Sequence, residues 1–97
     1  MLRVGNLTVN LQKHEVLKGE EKIDLTLKEF ELLRLLLQNK GKVLSRNYLL
    51  DKIWGYEYYG ETRTVDVHIR YLRKKIEGIN EDEKYIETIR GIGYKID

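Results

Sequence analysis

Hydrophobic and polar residues alternate with a period of two at the start of the chain. Leu7, Val9 and Leu11 fall on one side of this pattern. Two further short apolar runs follow at residues 16–17 and 23–25, and glycine-containing turns separate the runs. The pattern predicts a small antiparallel sheet of three or four strands.

The apolar period lengthens after Thr26, where a first helix is predicted to begin. Thr26 and Glu29 have the spacing of a capping box, in which each side chain accepts a hydrogen bond from the other residue's backbone N–H. Gly41 is expected to end the helix. The predicted buried face is wide enough for contacts on more than one side, and it contains Leu27, Phe30, Leu32, Leu33, Leu35, Leu36 and Leu37.

The next segments predict two more helices and a hairpin. Residues 42–44 form a short extended link, and Ser45 is a suitable N-cap for a helix over 46–54. The inward side chains of that helix are expected to be Leu49, Leu50, Ile53 and Trp54. A glycine-bounded aromatic loop at 55–61 precedes a third helix over about 62–77. A polar turn at 78–84 then leads to two strands over 85–96, folded about the tip at 90–93.

The third helix is predicted to have two different faces. At about 100° per residue, Val65, Ile69, Leu72 and Ile76 form one apolar stripe. A helix of this kind is often simply solvated on its outer side. Here the preceding short helix and the glycine-tipped hairpin are typical of a DNA-binding winged helix, and a basic face suits a major groove. The residues of that opposite face are Arg63, Val67, Arg70, Tyr71 and Lys74.

Composition and charge narrow the function classes. The 97 residues are 41% apolar and 35% charged, with a net charge of +2, which suits one globular domain over residues 1–97. Residues 62–76 contain five Lys and Arg residues but a single acid, so they form a local positive field. The absence of Cys excludes disulfides and thiolate metal sites and favours a reducing, cytoplasmic compartment.

Enzymatic activity is not expected. The two His residues have no partner in a catalytic or metal-binding motif, and no glycine-rich phosphate loop stands between a strand and a helix. No cofactor or metal is predicted. The expected architecture is α+β: an N-terminal antiparallel sheet over 1–25, a three-helix core over 26–77 and a wing hairpin over 85–96.

Four segments together resemble the C-terminal, winged helix-turn-helix domain of OmpR/PhoB-type bacterial response regulators. The run TRTVDVHIRYLRKKI at 62–76 is similar to the recognition helix of that family, and LKEFELL at 27–33 is similar to its first helix. The second helix of the family is matched by VLSR at 43–46, followed by Leu49, Leu50 and Trp54-Gly55. The wing is matched by IETIRGIGY at 86–94. Residues 1–25 fit the family less specifically.

The resemblance implies a role in binding duplex DNA for twelve residues, and Lys74 on the basic face is added as a thirteenth. Arg46 and Trp54 correspond to phosphate contacts, and Arg90 matches an arginine placed in the minor groove. Lys74 is expected to neutralise phosphate with its cationic neighbours. One type of member in this family has a base-contacting Arg where this sequence has Tyr71. The complete set is Arg46, Trp54, Arg63, Thr64, Val67, His68, Arg70, Tyr71, Arg73, Lys74, Thr88, Arg90 and Tyr94.

The resemblance also implies partners outside this sequence. These are an N-terminal receiver domain phosphorylated on Asp, direct-repeat DNA sites bound head to tail, and RNA polymerase through loop 55–61. The isolated domain is expected to be a monomer without DNA. Two other functions stay open at this point: a winged helix that binds a protein, and the output domain of a one-component regulator without phosphorylation.

Several single residues also have two interpretations. Trp54 could be a core residue or a phosphate contact, and Tyr94 could hold the hairpin against the core or contact DNA. His68 lies at the margin of the apolar stripe, as a solvated flank or a phosphate contact. Asp66 is assigned a structural role, because a carboxylate stabilises the positive end of a helix.

Overall fold

The N-terminal quarter of the chain forms one four-stranded antiparallel sheet. The computed structural model describes residues 1–55, 58, 60–78 and 84–97. The strands of this sheet are β1 (Leu2–Val4), β2 (Leu7–Asn10), β3 (Glu15–Lys18) and β4 (Glu21–Ile23), and they lie side by side in that order. The predicted sheet is therefore confirmed, with four strands.

The inner face of this sheet is shorter than predicted. Leu7 and Val9 are fully buried, but Leu11 is 37% exposed, so the prediction that it shares their side of the sheet was wrong. Strand β2 ends at Asn10, whose side-chain oxygen accepts a hydrogen bond from the Lys13 N–H at 3.0 Å. This local turn, which the Asn side chain stabilises, directs Leu11 away from the core.

Helix α1 (Leu27–Gln38) lies at the centre of the fold. Its capping box is confirmed, because the Glu29 N–H donates to Thr26 Oγ1 at 3.2 Å and the Thr26 N–H donates to Glu29 Oε1 at 2.9 Å. Six of its apolar side chains are buried, as predicted, but Leu27 is 62% exposed. It is the first residue of the helix and lies beyond the surface that the core covers.

The C-terminus of α1 also differs from the prediction. The helix ends at Gln38 rather than near Gly41, and Asn39 stops it by donating its side-chain amide to the Leu35 carbonyl at 2.8 Å. Gly41 has a φ of +83°, and its N–H donates to the Ile96 carbonyl at 2.8 Å. The glycine therefore turns the chain toward the C-terminal strand.

Two further helices complete the helical layer. Helix α2 (Arg46–Ile53) is capped by Ser45, whose hydroxyl accepts from the Tyr48 N–H at 3.1 Å, as expected. Trp54 follows the helix as its C-cap and, like Ile53, packs partly buried against the core, in agreement with the predicted inward orientation. Helix α3 (Arg63–Glu77) buries its predicted stripe completely. None of the helices in the described residues is long and apolar enough to cross a membrane.

A second sheet joins the link before α2 to the hairpin at the end of the chain. Its strands are β5 (Leu44–Ser45), β6 (Ile86–Ile89) and β7 (Gly93–Ile96), in the order β5-β7-β6. The hairpin was predicted, whereas the pairing of Leu44 with Tyr94 and of Ser45 with Gly93 was not. The core beneath contains side chains from both sheets and all three helices, so the chain has an α+β architecture.

Candidate nucleic-acid interface

The outer face of α3 is basic and open. Its side chains project opposite the buried stripe, and Val67 and Tyr71 are 41% and 52% exposed. Lys74 Nζ lies 5.9 Å from the centroid of the Tyr71 ring, so the aromatic and the cation form one patch. Every residue predicted for this face is exposed: Arg63, Val67, Arg70, Tyr71 and Lys74.

The hairpin of β6 and β7, here called the wing, extends beside α3. Its tip is a turn at 90–92 that contains the exposed side chains of Arg90 and Ile92. Gly91 has a φ of +74°, a conformation that favours glycine. A groove of about 200 Å³ separates the tip from the start of α3 and is lined by both Arg46 and Arg90. The wing therefore places a second cationic group next to the helix.

Asp66 in the first turn of α3 joins three elements. Its carboxylate accepts hydrogen bonds from Nε of Arg46, at 3.1 Å, and from Nη2 of the same guanidinium. It also accepts a hydrogen bond from the Tyr94 hydroxyl at 2.5 Å. Arg46 begins α2 and Tyr94 belongs to β7, so one carboxylate connects α2, α3 and the wing.

Tyr94 is buried at this junction, with 7% of its surface exposed. Burial, followed by the hydrogen bond to Asp66 and the charge of that carboxylate, raises the pKa of the Tyr94 phenol to about 12. The phenol is therefore a neutral donor near pH 7. This arrangement favours the hypothesis that Tyr94 holds the hairpin against the core.

Arg73 forms a second connection between α3 and the wing. Its Nη2 donates to the Ile86 carbonyl at 2.9 Å and to Thr88 Oγ1 at 2.6 Å. Its guanidinium carbon lies 5.5 Å from the centroid of the Tyr94 ring. The guanidinium is therefore held by the wing, and its predicted contact with DNA stays a prediction.

An aromatic cluster occupies the other flank of α3. The His68 ring packs edge-on against Trp54 with 4.9 Å between centroids, and its Nδ1 lies 2.8 Å from the Thr64 carbonyl oxygen. Lys28 Nζ lies 5.4 Å from the Trp54 ring centroid and donates to the Ile53 carbonyl at 2.9 Å. The Trp54 ring is packed but still partly exposed, so it fits a core role and is also accessible for a phosphate contact.

The thirteen residues predicted for the interface thus form three groups. The first is exposed on α3 or at the wing tip, the second links α2, α3 and the wing, and the third belongs to the aromatic flank. The exposed group is Arg63, Val67, Arg70, Tyr71, Lys74 and Arg90. The linking group is Arg46, Arg73, Thr88 and Tyr94. The aromatic flank contains Trp54, Thr64 and His68. The predicted RNA polymerase contact of loop 55–61 falls partly on residues 56, 57 and 59, which lie outside the described residues.

Sequence reasoning missed the partners of two charged residues. Asp66 was assigned to the helix dipole, and its partners 20 and 28 residues away were not foreseen. Lys75 was counted with the basic block, but its Nζ lies 2.6 Å from Glu29 Oε1 on α1. A lone acid within a basic helix is the sequence signal that indicates a nearby cation, but it does not indicate which one.

Comparison with known proteins identifies the family. The profile of the family described as "Transcriptional regulatory protein, C terminal" matches residues 19–96. The chain belongs to this family. The solved structure of DrrB from Thermotoga maritima, an OmpR/PhoB homologue, is 37% identical over 97% of this chain and 42% of its own, with a TM-score of 0.87. The family is thus OmpR/PhoB-type, as the sequence resemblance implied, and it is one of transcriptional regulators rather than enzymes.

Two other matches show the extent and the shape of this relationship. The sensory transduction protein RegX3 of Mycolicibacterium smegmatis is 42% identical over the whole chain, which spans 42% of the relative's length. The DNA-binding domain of Klebsiella pneumoniae RstA, solved in complex with the RstA box, is 33% identical over 98% of this chain and 94% of its own, with a TM-score of 0.85. The chain therefore has the winged-helix fold of this family's DNA-binding domains, as expected.

Proposed function

We propose that this domain binds duplex DNA sequence-specifically, as the cytoplasmic output half of a two-component response regulator. The observation that supports this most directly is the exposed basic face of α3 with the wing beside it. An α-helix fits the major groove, where side chains distinguish base pairs by their hydrogen-bonding edges. The RstA domain was solved with DNA, and its fold is the fold described here.

The exposed residues of α3 divide by chemistry into two roles. Arg63, Arg70 and Lys74 supply cations for phosphates and donors for base edges. Val67 and Tyr71 supply apolar surface, which suits the methyl group of thymine. Tyr71 lacks the bidentate guanidinium that an Arg offers to guanine, so we expect a weaker preference for G at the base it faces.

Arg90 is the residue that we assign to the minor groove. It is exposed at the tip of the wing, and its hairpin is fixed to the body of the domain through β5. A·T tracts narrow the minor groove and deepen its negative potential, which attracts an inserted arginine. The wing would therefore add a preference for A·T at the flank of the site.

The rest of the regulator lies outside this chain, which spans 42% of the RegX3 relative. We propose a receiver domain, phosphorylated on Asp by a histidine kinase, as the partner that controls DNA binding. Direct-repeat sites would then be occupied head to tail. RNA polymerase is the proposed partner of loop 55–61.

The test is a titration of duplex DNA at several salt concentrations. Each phosphate that a cation neutralises contributes about −0.9 to the slope of log K against log salt, so binding should weaken steeply as salt rises. Arg63→Ala should reduce the slope by about one unit. Lys22→Ala, which removes the same charge from the exposed surface of β4, is the matched control and should leave the slope unchanged.

Two results would contradict this function. The first is the absence of binding to any duplex from a random pool at low salt. The second is binding whose salt slope is near zero for the wild type, which would mean that no phosphates are neutralised. Either result would favour a winged helix that binds a protein.

A further inference from the structure

Asp66 is an unusual residue for a surface that binds DNA. It is the only acid among residues 62–76, and its side chain is 33% exposed. A carboxylate beside a polyanion opposes binding by charge repulsion. The contacts of Asp66 indicate what the carboxylate contributes in return.

The carboxylate holds two groups from outside α3. Arg46 bonds it through two guanidinium nitrogens, and such paired contacts fix orientation as well as distance. The Tyr94 hydroxyl bonds it from β7 at 2.5 Å. Because Tyr94 stays neutral below its raised pKa of about 12, this donor is present throughout the physiological range.

Arg73 holds β6, the second strand of the wing, close to the point where Asp66 holds β7. It lies seven residues after Asp66, about two helical turns, and therefore on the same side of α3. Its partner Thr88 pairs directly with Tyr94 across the hairpin. One side of α3 thus holds both wing strands at a single cross-strand pair, just below the tip.

We propose that Asp66 is a positioning residue that sets the distance between α3 and Arg90 through Tyr94, so that helix and wing engage adjacent grooves together. The inference rests on the proposed DNA binding. Asp66 contributes no contact to DNA. It fixes the base of the wing against the recognition helix, and Arg46 is fixed by the same carboxylate at the edge of the groove that Arg90 also lines.

The experiment is a pair of double-mutant cycles. Asp66→Asn and Tyr94→Phe are each combined with Arg90→Ala, and affinity is measured for one selected duplex with an A·T flank and for the same duplex with a G·C flank. Tyr94→Phe keeps the buried ring and removes only the hydroxyl. Thermal unfolding of every variant is recorded, and Glu31→Gln on α1 is the control, because it removes the same charge from another carboxylate–arginine pair.

The proposal predicts that the effect of Arg90→Ala depends on Asp66. In the wild type, Arg90→Ala should lower affinity for the A·T-flanked duplex about fivefold or more. In Asp66→Asn and Tyr94→Phe, the same substitution should cost less than about twofold, because coupled residues are not additive. The preference for the A·T-flanked duplex over the G·C-flanked duplex should also become smaller in Asp66→Asn and Tyr94→Phe. Glu31→Gln should leave the Arg90 effect at its wild-type size.

Other outcomes would overturn the inference. If Asp66 only repelled DNA, Asp66→Asn would tighten binding to both duplexes and the full Arg90 effect would persist. If Asp66 only stabilised the helix dipole, the melting temperature would fall and the Arg90 effect would also persist. Should Asp66→Asn fail to fold, the Tyr94→Phe cycle decides by the same criterion. A wild-type domain that binds no duplex would instead overturn the proposed function itself.

Discussion

At the scale of single residues, cations of the same type have different roles because of where their partners lie. Arg70 is exposed on α3, whereas Arg73, three residues later, is held by the Ile86 carbonyl and Thr88. The difference is one of helical position, since three residues rotate a side chain by about 300°. Arg70 therefore faces solvent while Arg73 faces the wing.

Gly93 provides a prediction at the same scale. A Cβ built at this position would lie 2.0 Å from the Leu44 carbonyl oxygen, which is backbone and cannot move aside without breaking the pairing of β5 with β7. We expect Gly93→Ala to lower the free energy of unfolding by about 1–3 kcal/mol, as overpacking does. Chemical denaturation measures the change.

The control for Gly93→Ala is Gly91→Asn at the wing tip. A Cβ at Gly91 meets no atom within 4 Å, and Asn tolerates the positive φ of this position. Its free energy of unfolding should change less than that of Gly93→Ala. Equal stability of Gly93→Ala and the wild type would show that β5 and β7 do not need this close approach.

At the scale of elements, α3 is divided into sides with separate tasks. The apolar stripe packs into the core, Asp66 and Arg73 face the wing, and His68 faces Trp54. The remaining side is exposed and basic. Because each task occupies its own side of one helix, substitutions on different sides should affect different properties.

We therefore expect substitutions on the core and basic sides to separate stability from binding. Ile69→Ala removes a fully buried side chain and should cost about 2–5 kcal/mol of folding stability. Arg70→Ala, next in sequence but exposed, should change stability by less than about 0.5 kcal/mol and weaken specific DNA binding by about 1–3 kcal/mol. Thermal melts and DNA titrations of both variants would measure this. The reverse pattern would refute the division of faces.

The ion pair between α1 and α3 should make stability depend on acid pH. Burial alone would raise the pKa of Glu29, but the bonds and charge of Lys75, together with bonds from Thr26, outweigh it and hold this pKa below its ordinary value of 4.5. A lowered folded-state pKa stabilises the fold above the unfolded value, and that contribution disappears as the pH falls through the folded value. Glu29→Gln should therefore cost about 1–3 kcal/mol near pH 7.

The same substitution should cost progressively less below about pH 4.5, because the unfolded wild type then binds a proton at Glu29 that the folded protein takes up only at lower pH. Urea unfolding of the wild type and Glu29→Gln at a series of pH values gives the difference. The control is Glu31→Gln, which breaks a more exposed pair on the same helix and should cost less than about 1 kcal/mol. A Glu29→Gln penalty that stays constant down to pH 3 would contradict the interpretation.

At the scale of the whole molecule, the two sheets serve different ends of the fold. The N-terminal sheet packs against α1 through β1, and the second sheet fixes the wing beside α2 and α3. The basic side of α3 and the tip of the wing consequently lie together on the surface. A single domain can therefore offer one helix and one hairpin to neighbouring grooves of the same duplex.

This arrangement predicts how the domain assembles on DNA. Without DNA, the isolated domain should sediment as a monomer. With a duplex that contains two direct repeats spaced by one helical turn, two copies should bind head to tail, since half-site spacing follows helical geometry. Shifting one repeat by half a turn should abolish double occupancy while leaving single occupancy intact. Equal double occupancy at both spacings would contradict head-to-tail pairing.

The sequence alone determined the order of the elements and the local chemistry that begins them. The capping box at Thr26, the Ser45 cap and the apolar stripe of α3 were all foreseen, because each depends on successive residues three or four positions apart. The exposed basic face followed from the same periodicity. Leu11 was wrongly grouped with Leu7 and Val9, and Leu27 was wrongly placed on the buried face of α1, because a period does not show where the core ends.

Only the tertiary structure decided which polar residues are free and which are held. Arg46 bonds Asp66 at a separation of 20 residues, Tyr94 bonds it at 28, and Lys75 bonds Glu29 at 46. The pairing of β5 with β7, and with it the need for glycine at position 93, likewise joins distant segments. Such partners are selected by packing over the whole chain, because a buried charge or hydroxyl must find a partner wherever the fold brings one within reach.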